Sequence, residues 1–373
     1  MNKSTCEYLS LESICTKGSS NISINKLNDC NGIYPLYGAS GFVKDIDFFH
    51  QEKPYIGIVK DGAGVGRVSI YPAKSSLVGT MQYIIPSSKC TINYLYHFLC
   101  SLNLSKFVSG ATIPHIYFKD YGKCLIPIPT IEEQGMIASE LDMITEMISK
   151  YDEQLKELDK LSQSIFYEMF GDPVENEKGW EERRIDSTCN VTSSKRILVE
   201  DMTNVGIPFL RGTELTLLSN GYEFDEIEYP LNISQKQYDE VKEITGVPEV
   251  GDILIPSINS NGYVWIVNTS KQFYFKDGRV IWIHVNKDFF CSEYLRYLLM
   301  IQLRGEFENM NGATFAEFKL FVIREMIVMC PPLPLQQSFA RKIEAIEAMK
   351  SKVKEAKKEA ETLLAARMQY WFE

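Results

Sequence analysis

"SGATIPHIYFKDYGKCLIPIPTIEEQ", residues 109–134, and "NGATFAEFKLFVIREMIVMCPPLPLQ", residues 311–336, are two versions of one sentence. Gly110-Ala111-Thr112 pairs with Gly312-Ala313-Thr314 at an offset of 202, and the same offset pairs Pro129 with Pro331, Gln134 with Gln336, Leu141 with Ile343 and Ile144 with Ile346. Slightly upstream, "YLYHFL" at 94–99 matches "YLRYLL" at 294–299 with an offset of 200. A period this long is not that of a solenoid. It describes a duplicated module, each copy a globular block followed by a helix. The divisions expected are a first block 1–129, a first helix 130–172, a second block 173–332 and a second helix 333–373.

The first helix carries apolar residues at Ile137, Leu141, Ile144, Ile148, Tyr151, Leu155, Leu158, Ile165 and Met169, in steps of four and three broken only at Ser162. That is a heptad seam, and Gly171-Asp172-Pro173 is a good terminator. The plainer reading is an amphipathic helix lying on its own block; the polar remaining faces favour a coiled coil. The second helix has a weaker stripe, Phe339, Ile343, Ile346, Val353, Ala360 and Leu364, with Lys350 and Lys357 on seam positions. A lysine there costs stability and sets register. Residues 131–172 carry a net charge of −8 and residues 336–373 a net of +2, so the helices suit each other as an intramolecular antiparallel pair.

The blocks read as β-rich. "YIGIVK", "GRVSIY", "QYIIP", "DILIPS", "YVWIVN" and "RVIWIHV" are short β-branched and aromatic runs punctuated by Gly, Asn and Asp. "NYLYHFLCSL" and "SEYLRYLLMIQL" have helical periods, and the second block is lengthened by the acidic stretch "GYEFDEIEYPLNISQKQYDEVKEITG" at 221–246. The fold class expected is α+β: two β-rich domains separated by two long helices, with approximate two-fold symmetry.

The bulk numbers exclude several classes. At 373 residues the chain has room for two to three domains. No run approaches the roughly 20 apolar residues of a membrane span. The opening "MNKSTCEYLSLESIC" lacks an apolar secretory core, and the nine cysteines contain no CxxC, so free thiols in a reducing cytoplasm are expected. His50, His97, His115 and His284 are scattered, with no metal-ligand spacing. "DGAGVGRV" at 61–68 is followed by a strand, "RVSIYP", and not by the helix a phosphate-binding loop opens, so it is a hairpin turn. There is no P-loop. "MCPPLP" at 329–334 lacks the amide or carboxylate that precedes the prolines in amino-methyltransferases.

Taken in order, the segments resemble the specificity (S) subunits of type I restriction-modification systems, over essentially the whole chain. The resemblance is carried by "YPLYGASGFVKDIDFF" at 34–49 with "DGAGVGRV", by "GATIPHI…LIPIPTIEEQ" running into the first helix, by "LDKLSQSIFYEMFGDPVENEKGW" at 158–180, and by "IPFLRGTEL" at 207–215. It implies that blocks 1–129 and 173–332 are target-recognition domains, each reading one half of a split double-stranded DNA site. It implies that helices 130–172 and 333–373 are conserved regions that dock modification (methyltransferase) subunits, two of them by symmetry, and that restriction subunits join that core. No catalytic centre, metal or cofactor is implied in this chain. S-adenosylmethionine, ATP and Mg2+ are implied in the partners, whose assembly is a DNA adenine methyltransferase and ATP-dependent endonuclease.

For DNA contact, polar and basic residues beside loop glycines are the candidates: Lys60 and Arg67, flanking the first glycine turn with Asp61, and Arg196, Arg211, Ser257, Asn259 and Asn261 at strand ends of the second block. Asn and Arg suit adenine and guanine edges; Lys and Arg also serve phosphates. Each is equally a turn former or solvated loop residue. The GAT threonines are expected to bond backbone at the domain–helix junction. The net charge is −10, with −8 in residues 173–335 and +4 in residues 1–130, which favours phosphate contact by the first block. The acidity keeps a rival open, a coiled-coil scaffold whose β domains bind protein or glycan. A catalyst in its own right ranks third. The seam from Ile137 to Met169 would measure about 48 Å at 1.5 Å per residue, or roughly 14 base pairs, against about 10.5 base pairs for one DNA turn, so a nonspecific spacer of several base pairs is expected.

Overall fold

The computed structural model describes residues 6–27, 30–110, 114–259, 261–309 and 317–373. The chain forms two compact units, Met1–Leu155 with Lys352–Glu373, and Lys156–Ser351.

In the first unit the elements run β1 (Glu7–Ser10), α1 (Leu11–Ile14), β2 (Cys15–Ser19), β3 (Tyr34–Gly38), β4 (Gly41–Ile46), β5 (Tyr55–Val59), β6 (Val68–Tyr71), β7 (Ser76–Leu77), β8 (Met81–Pro86), α2 (Ile92–Ser101), α3 (Phe118–Tyr121), β9 (Leu125–Ile128) and α4 (Ile131–Phe170), whose last part belongs to the second unit. A four-stranded antiparallel sheet has the order β2-β8-β5-β6. The strand "YIGIV" is buried at every residue, as a central strand covered on both faces requires. A three-stranded sheet, β4-β3-β7, contains one parallel pair, β3 with β7, and β1 pairs with β9.

The second unit repeats this plan. Its elements are β10 (Glu182–Arg184), α5 (Ile185–Thr188), β11 (Asn190–Thr192), β12 (Ile207–Leu210), α6 (Gly212–Ser219), β13 (Asn232–Ile233), α7 (Gln235–Thr245), β14 (Ile253–Pro256), β15 (Trp265–Ile266), β16 (Tyr274–Phe275), β17 (Val280–His284), α8 (Ser292–Asn309), α9 (Leu320–Glu325), β18 (Ile327–Met329) and α10 (Leu333–Phe372), whose last part belongs to the first unit. The sheets β11-β17-β14-β15, β13-β12-β16 and β10-β18 match the first three one for one, down to the parallel pair β12 with β16. The acidic extra length builds α7, whose cap is a Ser234–Gln237 box.

The doubled sentence has a physical cause. Gln134 and Gln336 are both fully buried at the starts of α4 and α10. The Gln134 amide donates to the carbonyls of Lys89 and Pro129 and accepts from the Thr91 N–H. The Gln336 amide does the same with Phe289, Pro331 and Cys291. The Tyr94 hydroxyl donates to the Pro127 carbonyl, and the Tyr294 hydroxyl to that of Met329. Each staple ties the long helix to the short helix and edge strand that precede it. A buried polar side chain with every partner satisfied specifies one arrangement.

Each unit takes its helical core from both long helices. In the first, Ile137 and Leu141 of α4 join Tyr94, Leu95, Phe98 and Phe372 of α10. In the second, Phe339 and Ile343 of α10 join Tyr294, Leu298, Phe166 and Phe170. The pairing is antiparallel inside each unit, Glu140 with Arg367 and Asp152 with Lys357 in one, Asp159 with Lys350 in the other. The seam is buried most where it meets a unit core, at Ile137, Leu141 and Ile144; Ile148, Tyr151, Leu155 and Leu158 are half-buried, because two helices alone leave seam flanks open to water. Ser162, the break in the stripe, is buried with its hydroxyl donated back to the Leu158 carbonyl. Near the end of α4 the buried residues are Phe166 and Phe170, one place beyond seam residues Ile165 and Met169, because the helix there meets Tyr294 and Phe339. Gly171, at φ +79°, ends the helix as expected.

Candidate nucleic-acid interface

The same backbone clamp stands at the end of the central strand in each unit. After β5, the Lys60 N–H donates to the Thr80 carbonyl, and the Lys60 carbonyl accepts from the Ile116 N–H. After β14, the Ser257 N–H donates to the Arg279 carbonyl, and the Ser257 carbonyl accepts from the Phe318 N–H. Beside them, isolated bridges join Asp61 to His115 and Ile258 to Glu317. His115 and Glu317 hold the same place in the doubled sentence. Ala111-Thr112 and Gly312-Ala313-Thr314 of the GAT triplets, with the bonds expected of their threonines, lie outside the described residues.

In the first unit the pinned loop is the glycine turn, an antiparallel hairpin between β5 and β6, as its sequence context requires. Gly62, Gly64 and Gly66 have φ of +82°, +83° and +87°. A Cβ on Gly66 would stand 3.3 Å from Leu104, so the turn lies against the segment that leads to His115. Lys60 Nζ is 2.6 Å from Asp61 Oδ2. Arg67 is exposed and donates Nη1 to the Ala39 carbonyl at 2.8 Å, leaving the rest of its fork to solvent. Around them stand the exposed Lys106, the His115 ring 4.9 Å from exposed Tyr117, and Lys119 Nζ 5.2 Å from the Tyr117 ring. These cations and flat rings suit phosphates and bases.

The second unit presents the same clamp with other chemistry. Asn259 is fully buried, and its amide closes the loop on Tyr263, accepting from its N–H and donating to its carbonyl, each at 2.7 Å. Ser257 is buried, and its hydroxyl has no partner among the described residues. Asn261 is exposed and donates to the Tyr263 hydroxyl. Arg211 points its Nε and Nη2 at Glu214, which is almost fully buried. Burial pushes the Glu214 carboxyl up, but the Arg211 guanidinium and backbone N–H more than offset this, and it lies below its usual value. Arg196, in the segment between β11 and β12, is exposed with no partner among the described residues. Arg279 is paired with Glu317 at 2.9 Å.

So the structure gathers Lys60 and Arg67 at one turn, and Ser257, Asn259 and Asn261 at the equivalent turn; Arg196 and Arg211 belong to other segments. Sequence reasoning passed over His115, Tyr117, Lys119, Arg279 and Glu317. The signal that finds His115 and Glu317 was available, since both lie in the doubled sentence three residues after the threonine. No group of three or more His, Cys, Asp or Glu among the described residues is arranged to hold a metal ion. Burial pushes the Cys15 and Cys90 thiols up to about 12, away from nucleophile chemistry. No helix among the described residues is long and apolar enough to cross a membrane.

Comparison with known proteins separates DNA recognition from a protein- or glycan-binding scaffold. The family model "Type I restriction modification DNA specificity domain" matches residues 3–159 and 177–362. A putative type I restriction enzyme specificity subunit of Haemophilus influenzae is 23% identical over 351 residues, 87% of this chain and 83% of that protein. The specificity subunit of a type I restriction enzyme of Methanocaldococcus jannaschii is 23% identical over 308 residues, 74% of this chain and 67% of that protein. The crystal structure of the S subunit of a type I restriction-modification system from M. genitalium has the same fold, with a TM-score of 0.57 at 15% identity, covering 99% of this chain and 96% of that one. A chain from a structural study of type I restriction-modification complex assembly matches with a TM-score of 0.54 at 16% identity, covering 98% and 96%. The chain belongs to the type I restriction-modification DNA specificity family and is a specificity subunit, the non-catalytic member of such a system.

Proposed function

We propose that each unit reads one half of a split DNA target through its clamped strand-end loop, and that α4 and α10 each dock one modification subunit. The observation that carries the first part is the duplicated clamp. It fixes the backbone at two equivalent places and sets different side chains on it, as two unlike half-sites require. Lys60 and Arg67, with His115 and Tyr117, face the first half-site; Asn261, Arg279 and Arg196 face the second. Arg211 and Asn259 hold the second unit's loops in shape.

The docking part is supported by an exposed apolar stripe on both helices. Met136, Met143, Met147 and Leu161 fall along one face of α4, and Met349 and Leu363 along α10. Met147 with Met349 and Leu161 with Leu363 are again 202 apart, so the stripe is duplicated with the fold. Equivalent stripes take equivalent partners, which gives two modification subunits per chain. Restriction subunits join that core, and the partners, not this chain, bring S-adenosylmethionine, ATP and Mg2+. With a net charge of −10 the subunit alone binds DNA weakly and with strong salt dependence, and the modification subunits add cationic surface. Native mass spectrometry of the co-expressed proteins tests the stoichiometry. Two modification subunits per chain are expected, and Met147→Lys or Met349→Lys should remove one of them. A one-to-one complex at saturating partner contradicts the proposal.

A further inference from the structure

Because α4 and α10 descend from one duplicated sentence, α4 has two kinds of partner open to it, α10 or the α4 of a second chain. Three ion pairs between them run the same way. Glu140 accepts Nε and Nη2 of Arg367, at 2.5 and 2.9 Å, and also Nε1 of Trp371 at 3.0 Å. Asp152 holds Lys357 at 2.7 Å, and Asp159 holds Lys350 at 2.7 Å. In each, the carboxylate is on α4 and the cation on α10. At the duplicated positions, 202 residues earlier, α4 has Ile148, Leu155 and Ile165 where α10 has Lys350, Lys357 and Arg367.

We infer that these one-way ion pairs make α4 and α10 select each other and reject a second copy, so that the two DNA-reading units stay the fixed pair encoded by one chain. The pairing rule stands on the helices alone; only its consequence for target choice rests on the function proposed above. The alternatives can be built from the register. In an α10–α10 pair in the same register, Lys357 faces Lys354 and Arg367 faces Lys342, and of the three only Lys350 faces a carboxylate across the pair, Glu361. In an α4–α4 pair, Glu140, Asp152 and Asp159 face Ile165, Leu155 and Ile148. Net charge acts the same way. α4 has 10 acidic and 3 basic residues, net −7, and α10 has 5 acidic and 8 basic, net +3, so each helix repels its own kind and attracts the other. Lys357 is the most telling residue. It lies half-buried on the seam with Asp152 of α4 at 2.7 Å, and in an α10–α10 pair it would face Lys354 instead. A seam lysine weakens a helix pair unless a carboxylate meets it, and α4 supplies that carboxylate.

The test uses the full chain with a protease site inserted after the exposed Val174, cut after folding, so that only non-covalent contacts join the α4-bearing and α10-bearing parts. Light scattering should find one-to-one pairs at every concentration. Reversing the α4 charges, Glu140→Lys, Asp152→Lys and Asp159→Lys together, should weaken association by about tenfold or more. Adding Arg367→Glu, Lys357→Asp and Lys350→Asp should restore it. Homodimers of either part, an α4 reversal without effect, or a failure of the compensated chain to recover would overturn the inference. No DNA enters the measurement, so its outcome is independent of whether the units read DNA.

Discussion

The two strand-end loops share their backbone and little else. At the end of β5 the pinned residues are Lys60 and Asp61 beside three glycines and Arg67; at the end of β14 they are Ser257 and Ile258 beside the buried Asn259. The hydrogen bonds that pin them pair the same positions. The first loop is cationic and open. In the second, the guanidiniums of Arg211 and Arg279 already meet Glu214 and Glu317. The difference teaches that the fold supplies the position and the loop supplies the reading. On the function proposed above, a block with a net charge of −8 would serve the same task as one with +4 by relying less on phosphate attraction and more on shape and polar contacts.

The largest expected effect follows from separating the two readers. Exchanging residues 1–130 for the first domain of another family member should replace one half of the methylated target and leave the other half unchanged. Changes in both halves would break the comparison. Next come the two glutamine staples, where the units should behave alike. Gln134→Ala and Gln336→Ala each strand a buried N–H and two carbonyls, and each should cost about 2–4 kcal/mol of stability in thermal or denaturant unfolding. A large loss in only one unit would show that the staples are not equivalent.

The arginines sharpen the contrast. Arg211→Ala leaves the buried Glu214 carboxylate without its cation and should cost about 3 kcal/mol of stability. Arg67→Ala should change stability by less than about 0.5 kcal/mol, since only one exposed bond to Ala39 is lost. Its effect should appear in DNA binding by the assembled complex, as weaker binding of the first half-site and a salt slope smaller by about one, with Lys60→Ala acting in the same direction. The reverse pattern would exchange their roles.

The smallest effect is acid sensitivity. In the second unit the buried carboxyls of Glu214 and Asp252 are held below their usual values of 4.5 and 3.8; burial pushes both up, but it is outweighed by Arg211 and backbone N–H groups in one case, and by His284, the Glu249 N–H and Trp282 together in the other. A carboxyl lowered by folding stabilises the fold above its unfolded value, and that stability is lost as pH falls through the folded value. Glu140, lowered by Arg367, is the corresponding group in the first unit. Trp265 and Trp282 report on the second unit and Trp371 on the first. As pH falls below about 4.5 both units should lose stability, read by fluorescence of Trp265 and Trp282 in the second and of Trp371 in the first.

Much of this architecture was legible in the sequence. The six β-branched runs became strands, the glycine turn a hairpin, and the doubled sentence a repeated topology. Local pattern sufficed there because period and turn chemistry are short-range properties. The sharing of helices was not legible. Nothing near Phe166 or Phe372 in sequence says that these residues complete cores built on Tyr294 and Tyr94; that is decided by tertiary packing. The site was legible only as residue types. Arg211 and Asn259 look like Arg67 and Asn261 in a sequence, and only Glu214 and Tyr263 show that their hydrogen bonds are already made.

The most direct test of the central claim is the adenine methylome of a host strain with and without this chain, its modification subunit being present in both. The account predicts methylation that depends on the chain, at a target of two specific halves separated by a spacer fixed in length and free in sequence. A single continuous target, a spacer of variable length, or a methylome unchanged by removing the chain would contradict it.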